Sequence, residues 1–398
     1  MKIKSLLIGF TAALLAVSGA CAADSPIVAE AEPVEFICVC DAYGAGYFYI
    51  PGTETCMRIS GYVRTEIKGG DRIYTRHAGE RHRDTYAWRS RATFRTHTAS
   101  ETELGTLRTF AEFRTQWDTG AEYGNGHHGS ELHFAFIELG GVRVGLDESI
   151  FNHWTGYFGK VIHDDLLTPM SGSSANVISY TFNSGNGFSA IIGLEQGNKD
   201  GDTYGFRYNN GKEDGRKLSQ QIDKYTPNII GGLKYAQGWG SVSTVVAYDA
   251  YYSEWAGKLR FDVNVTDQFS LWAMGGYKSM KDYYGYRKDE KGIEDRTAGI
   301  YRQINSIYGD WGGHWALWGG GTYKFTSQTR FNFQAAYEQA RTFSSSVNIS
   351  HEIIPGLNIT PEVSYISWND KYGANHGKIT SLKGRHAVQG ILRLQRSF

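Results

Sequence analysis

From Met57 to Phe398 the chain alternates apolar and polar residues, in one run of roughly ten residues after another. A period of two puts successive side chains on opposite faces of a strand, so each run has one apolar and one polar face. In the run 254–266, Trp255, Leu259, Phe261, Val263 and Val265 oppose Lys258, Arg260, Asp262 and Asn264. In 86–98, Trp88, Ala92 and Phe94 oppose Arg89, Arg91 and Arg95; in 105–117, Leu107, Ala111 and Phe113 oppose Arg108, Glu112 and Arg114. The pattern predicts sixteen strands, at 57–67, 86–98, 105–117, 131–139, 142–148, 176–183, 187–194, 228–236, 240–250, 254–266, 269–279, 314–325, 329–338, 342–354, 357–368 and 385–398. A soluble sandwich alternates in the same way, so the strands alone do not choose between sandwich and barrel.

The connections do. Short turns at Gly140-Gly141, 183–186, 237–239, 266–268, 326–328 and Pro355-Gly356 all follow even-numbered strands, and their Gly, Asn, Asp and Pro are turn chemistry. Most long connections, including 149–175, 195–227, 280–313 and 369–384, follow odd-numbered ones. Tight turns at one end and long loops at the other match a membrane-spanning barrel with both chain ends on the short-turn side. Pro361 lies inside the fifteenth strand, where a barrel has no edge to hide it, so a missing ladder bond is expected there.

The front of the chain reads as an export signal. Lys2 and Lys4 precede the apolar run 6–17 and a small-residue site at Ala20-Cys21-Ala22. Cleavage after Ala22 is expected. A lipoprotein site at Cys21 is the competing reading, against which Ser18 stands where such sites usually carry Leu. No later stretch approaches the ~20 apolar residues of a membrane helix, so a spanning chain must be a closed barrel. The 49 glycines, 14% aromatics and only 7 prolines suit strands that face water on one side. Without Lys2 and Lys4, 39 basic residues meet 41 acidic ones, which excludes a markedly basic nucleic-acid binder. Aromatics gather beside the short turns, at Phe182, Phe188, Trp239, Phe269, Phe325, Phe331 and Phe398, where an interfacial girdle belongs. The last strand, with Val388, Leu392, Leu394 and Phe398 opposing Gln389, Arg393 and Gln395, ends on an aromatic like the closing strand of bacterial outer-membrane barrels.

Particular runs carry a family resemblance. CDAYGAGYFYIPGTETC at 40–56 and RISGYVR at 58–64 closely resemble the porins of Brucella and related alphaproteobacteria. So do ETELGTL at 101–107, GFSAIIGLEQG at 187–197, GGLKYAQGWGS at 231–241, ITPEVSY at 359–365 and the terminal LQRSF. The resemblance covers essentially the whole chain. It implies an all-β, 16-stranded antiparallel transmembrane barrel with an inward-folded third loop. It further implies a general-diffusion porin, a homotrimer in outer-membrane lipid that passes small hydrophilic solutes and ions. Neither a cofactor nor a nucleic acid enters that reading. The implied organisation is a signal peptide at 1–22, an N-terminal periplasmic segment at 23–56 and the barrel at 57–398. The resemblance also implies a Cys40–Cys56 disulfide; Cys38 departs from the family pattern. The loops near 68–86 and 280–313 look unlike the family's.

A channel of this kind works by the shape and charge of its waist. The third long loop, from Leu146 onward, carries Asp147, Glu148, Asp164 and Asp165. Arg64, Arg89, Arg91, Arg95, Arg108 and Arg114 from the early strands and Arg393 from the last are expected on the lumen face. Acid on a loop opposite base on a wall sets a transverse field that orders water and selects ions. Glu148, Asp164 and Asp165 are expected to face Arg91, Arg95 and Arg114. Three other readings find weaker support in the residues. His163-Asp164-Asp165 hints at a barrel protease, but a catalytic site needs groups that converge in space. His127-His128 hints at a metal, without further ligands. A substrate-selective channel, for a sugar as an example, would show an aromatic stripe; Tyr62, Phe110 and Trp272 share the polar-face parity but are scattered along the chain.

Overall fold

The computed structural model describes residues 39–74, 81–119, 127–156, 159–167, 174–197, 206–209, 212–217, 225–250, 253–279, 283–288, 294–303, 307–369, 372–375 and 378–398. The export segment, Cys38 and the side chains of His127 and His128 lie outside the described residues.

Among the described residues sixteen strands form one closed antiparallel barrel. They are β1 Cys56–Asp71, β2 Arg81–Thr102, β3 Gly105–Thr119, β4 His127–Leu139, β5 Val142–Asp147, β6 Ala175–Asn183, β7 Phe188–Gly197 and β8 Asn228–Gln237. The second half is β9 Gly240–Asp249, β10 Glu254–Asn264, β11 Phe269–Lys278, β12 Trp315–Lys324, β13 Thr329–Glu338, β14 Phe343–Ile354, β15 Leu357–Trp368 and β16 Arg385–Ser397. Each pairs with its neighbours in sequence. β16 closes the ring on β1, in register from Tyr62 opposite Ser397 to Gly70 opposite Gln389. Beyond that ladder, Gly61 N donates to Phe398 O at 2.9 Å and Phe398 N to Gly61 O at 3.1 Å. Closure satisfies the strand backbone internally, as a lipid surround demands.

The alternation read from sequence is the inside–outside alternation of the wall. In β16, Val388, Leu392, Leu394 and Phe398 are exposed on the outer face while Gln389 is buried. Two girdles flank the outer apolar band. Phe182, Tyr235, Trp239 and Phe325 are exposed at the short-turn end; Trp117, Tyr248, Trp255 and Tyr337 are exposed at the long-loop end. Pro361 shows the expected fault. β15 pairs with β14 at Glu362–Asn348 and Ile359–His351, and the ladder omits Thr360 and Pro361 between them. Its other edge is unbroken, with Pro361 opposite Leu392 of β16.

Three long connections hold additional hairpins, pairing 206–209 with 212–217, 283–288 with 294–303, and 372–375 with 378–381. The first two strands run longer than the period-two pattern shows, continuing their pairing to Asp71 opposite Arg81. At the barrel's other end Cys40 and Cys56 form a disulfide with Cα atoms 6.1 Å apart. It folds the segment before β1 back on that strand, with Phe48 opposite Met57, and packs Tyr47 and Tyr43 beside Ala99.

Candidate channel lining

The connection between β5 and β6 turns into the barrel because its first half is built for an apolar seat. A short helix, α1 (Ile150–His153), presents Ile150 and Phe151. Ile150, Phe151 and Trp154 are buried in one cluster with Ile191, Ile230, Val245 and Ala256 from the inner faces of β7 to β10. The seat needs glycine on the wall. A Cβ on Gly193 would stand 2.2 Å from Ile150 Cδ1, and one on Gly232 would stand 2.4 Å from Trp154 Cδ1. The N-terminal end of the helix is met by one buried carboxylate. Glu195 accepts from Ile150 N at 2.5 Å, from Ser149 Oγ at 2.9 Å and from Tyr308 Oη at 3.0 Å.

The second half of the loop is held by the inner faces of later strands. Gly159 N donates to Gln334 Oε1 of β13 at 2.9 Å. His163 N donates to Glu362 Oε1 of β15 at 2.7 Å, and Ile162 N donates to the same carboxylate. Ser346 and Asn348 of β14 donate to His163 O at 3.2 Å and Lys160 O at 2.9 Å. A second inserted segment supports the first. Ile307 N bonds Asp249 at 2.9 Å, Lys278 Nζ bonds the Gly309 and Trp311 carbonyls at 2.7 Å each, and Tyr308 packs its ring 5.2 Å from Phe151. The inner surface of β6 to β15 is therefore occupied by protein.

The remaining inner wall, β16 and β1 to β5, is lined by arginine–carboxylate pairs. Arg64 bonds Gln395 at 2.8 Å and lies over the Tyr62 ring at 4.5 Å. Arg393 meets Glu66 at 2.6 Å, Arg89 meets Asp118 at 2.7 Å, and Arg95 meets Glu112 at 2.5 Å. Arg114 shares Glu112 at 3.2 Å, with His133 2.9 Å from the same carboxylate. Arg91 is held at 2.6 Å by the neutral Gln116 instead. Arg108 is exposed on β3.

The expected acids divide into two groups. Asp147 and Glu148 line a cavity of about 680 Å³ together with Arg95 and Arg108, which joins four of the expected residues around one space. Asp147 is paired there with Arg143 at 2.6 Å, and Arg143 reaches Glu138 at 2.6 Å as well. Asp164 and Asp165 sit apart from that cavity. Asp165 accepts from Tyr74 Oη at 2.7 Å, and the wall charges that act on Asp164 are Arg393 and, in the opposite sense, Glu362. Burial, reinforced by Asp165, pushes the Asp164 carboxyl up to about 8, so it is protonated at neutral pH. Burial pushes the His153 imidazole down to about 4, so that ring is neutral. His163 bonds Ser364 at 3.0 Å and faces Glu362 at 3.3 Å, which makes the His163-Asp164-Asp165 triplet part of the loop's anchorage.

A half-filled barrel with a charged open half is the geometry of a channel, and the comparisons agree. The family model of the Porin subfamily matches residues 24–391. The chain belongs to that subfamily. Porin Omp2b of Brucella suis is 47% identical over 408 residues, covering 100% of both chains. Porin Omp2b of Brucella abortus (strain 2308) is 46% identical over 406 residues, again at 100% of both. Among solved structures, the outer membrane channel DcaP of Acinetobacter baumannii superposes with TM-score 0.58 at 13% identity, covering 88% of this chain and 99% of that one. The anion-selective porin from Comamonas acidovorans gives TM-score 0.52 at 12% identity, covering 87% and 100%. At those identities the likeness is one of fold. This porin is an outer-membrane channel rather than an enzyme.

Several lining residues of the porin escaped the sequence reading. Glu66, Asp118, Glu138 and Arg143 share the parity of inward arginines on their own or adjoining strands, so alternation alone could have found them. Glu195 and Glu362 carry no comparable mark. Their parity points inward, but only the fold shows that they receive a loop from a distant part of the chain.

Proposed function

We propose that this porin is a general-diffusion channel that passes small hydrophilic solutes and ions through water. The observation that carries the reading is the division of the bore. β6 to β15 are covered by the inserted segments, while β16 and β1 to β5 leave a cavity edged by Arg95, Arg108, Arg143, Asp147 and Glu148. Charges of both signs across confined water set ion preference without a tight substrate seat. The third loop narrows the lumen, with Asp147 and Glu148 as its acidic edge. The exported chain is cleaved after Ala22, its short turns face the periplasm, and three copies assemble in outer-membrane lipid.

Reconstitution in a planar bilayer tests this. An ohmic conductance that scales with salt and shows no saturable block by sugars supports general diffusion. Saturable block by one sugar supports a selective channel. Unheated electrophoresis with cross-linking tests the trimer, and N-terminal sequencing of the mature chain tests the cleavage site.

A further inference from the structure

Residues of four different strands meet as a continuous row on the inner wall. In register, Arg58 of β1 is opposite His97 of β2, His97 is opposite Phe110 of β3, and Phe110 is opposite Phe136 of β4. The His97 and Phe110 ring centroids are 4.8 Å apart, and those of Phe110 and Phe136 are 5.2 Å apart. The guanidinium of Arg143 lies 4.2 Å from the Phe136 ring centre, and that of Arg58 lies 5.1 Å from the Tyr47 ring centre. All of these line the 680 Å³ cavity, a volume within the range of small-molecule sites.

We propose that this row is a binding subsite for small aromatic carboxylates, a flat ring bearing one carboxylate. The proposal rests on the reading of the chain as an open channel. Aromatic cross-strand pairs stabilise any sheet, but those of a packed core are covered, whereas these rings border open space. The charge pattern selects an anion. The carboxylates lining the cavity already have basic neighbours: Glu112 has Arg95 and Arg114, Glu138 and Asp147 have Arg143, and the charge of Glu148 acts on Lys258. Arg58 and Arg108, at the short-turn side, enter none of the described ion pairs, and Arg58 Nε is buried without a hydrogen-bond partner. A ring laid along Phe110 and Phe136 places its carboxylate toward these two guanidiniums. A guanidinium binds carboxylate through a planar fork of donors, and offset rings attract beyond their buried area. An aliphatic acid of the same charge lacks the second contact; an aromatic cation is repelled by the first.

The experiment is single-channel recording of the full-length porin with benzoate, acetate or benzylammonium added at equal concentration. Benzoate is expected to interrupt the current saturably, and acetate and benzylammonium are not. Phe110→Leu and Arg58→Gln are each expected to raise the half-blocking benzoate concentration about fivefold or more, the scale of one lost ring or charge contact. Unchanged electrophoretic mobility before heating shows that each variant barrel is folded. Ohmic conductance indifferent to benzoate overturns the subsite and leaves the channel reading standing. Equal block by benzylammonium overturns the assignment of charge, and unaltered block in both variants overturns the assignment of residues. Absence of any conductance from the parent overturns the channel reading and the subsite with it.

Discussion

Removing the carboxylate of Glu195 tests whether one buried group decides the width of the channel. Glu195→Ala leaves three donors without their acceptor: Ser149 Oγ, Ile150 N and Tyr308 Oη. A buried donor left unmet costs about 1–3 kcal/mol, so the loss is roughly 3–9 kcal/mol for the set. Against it stand the side chains that keep the loop seated, Ile150 at 1% exposure, Phe151 at 0% and Trp154 at 8%. Each such side chain contributes about 1.5–3 kcal/mol on burial, roughly 5–9 kcal/mol together. The two sums are comparable, so the first half of the loop should leave its seat for a measurable fraction of the time. The barrel itself should persist, because the strand ladders are untouched. Single-channel traces of Glu195→Ala are expected to show excess open-channel noise and a second, larger conductance level. Glu195→Gln keeps an acceptor oxygen in place and should resemble the parent. Traces of Glu195→Ala identical to the parent, with the protein shown to be folded by its mobility before heating, would refute the idea that this carboxylate holds the loop.

Further outcomes follow from the lining. Asp147→Asn with Glu148→Gln should move the zero-current potential in a salt gradient toward anions, and Arg95→Ala with Arg108→Ala should move it the opposite way. One charge a few ångströms from the ion path is worth about 1 kcal/mol even at bulk dielectric, about fivefold in permeability ratio, and the shift should shrink with added salt. Because the folded Asp164 carboxyl titrates at about 8 rather than 3.8, raising pH through 8 adds a negative charge to the loop. Cation preference should rise there in the parent and not in Asp164→Asn. The same raised value means that stability is greatest below pH 3.8 for this group and is lost as pH climbs to 8, where the loss levels off. Replacing Cys40 and Cys56 with Ser opens a link spanning 16 residues and should destabilise by about 2–4 kcal/mol, read as a lower temperature for the heat-induced mobility shift. Peptide mapping without reduction should return Cys40 joined to Cys56 and Cys38 as a free thiol; a Cys38 link would overturn the latter.

The barrel was legible in one dimension because its governing constraint is local. A strand with lipid on one side and water on the other must alternate, and a closed ladder must turn tightly at one end. Arg89, Arg91, Arg95 and Arg114 could therefore be assigned to the inner face from parity, and the structure gives each a partner there or on an adjoining strand. Even the fault at Pro361 was readable, since a missing N–H is a property of the residue. Parity gives a face, and it gives neither depth along the bore nor the residue opposite. Whether Asp147 meets Arg91 or Arg143 depends on where the loop lands, and that landing is set by Gly193, Gly232, Glu195 and Glu362 on strands far away in sequence. The row from Arg58 through His97 and Phe110 to Phe136 likewise exists only once register sets each strand against the next. The sequence by itself determined which residues face lipid and which face water, because that choice repeats every second residue. Only the tertiary structure decided which half of the bore is filled and which charges meet across the other half, because those contacts join segments that no local period relates.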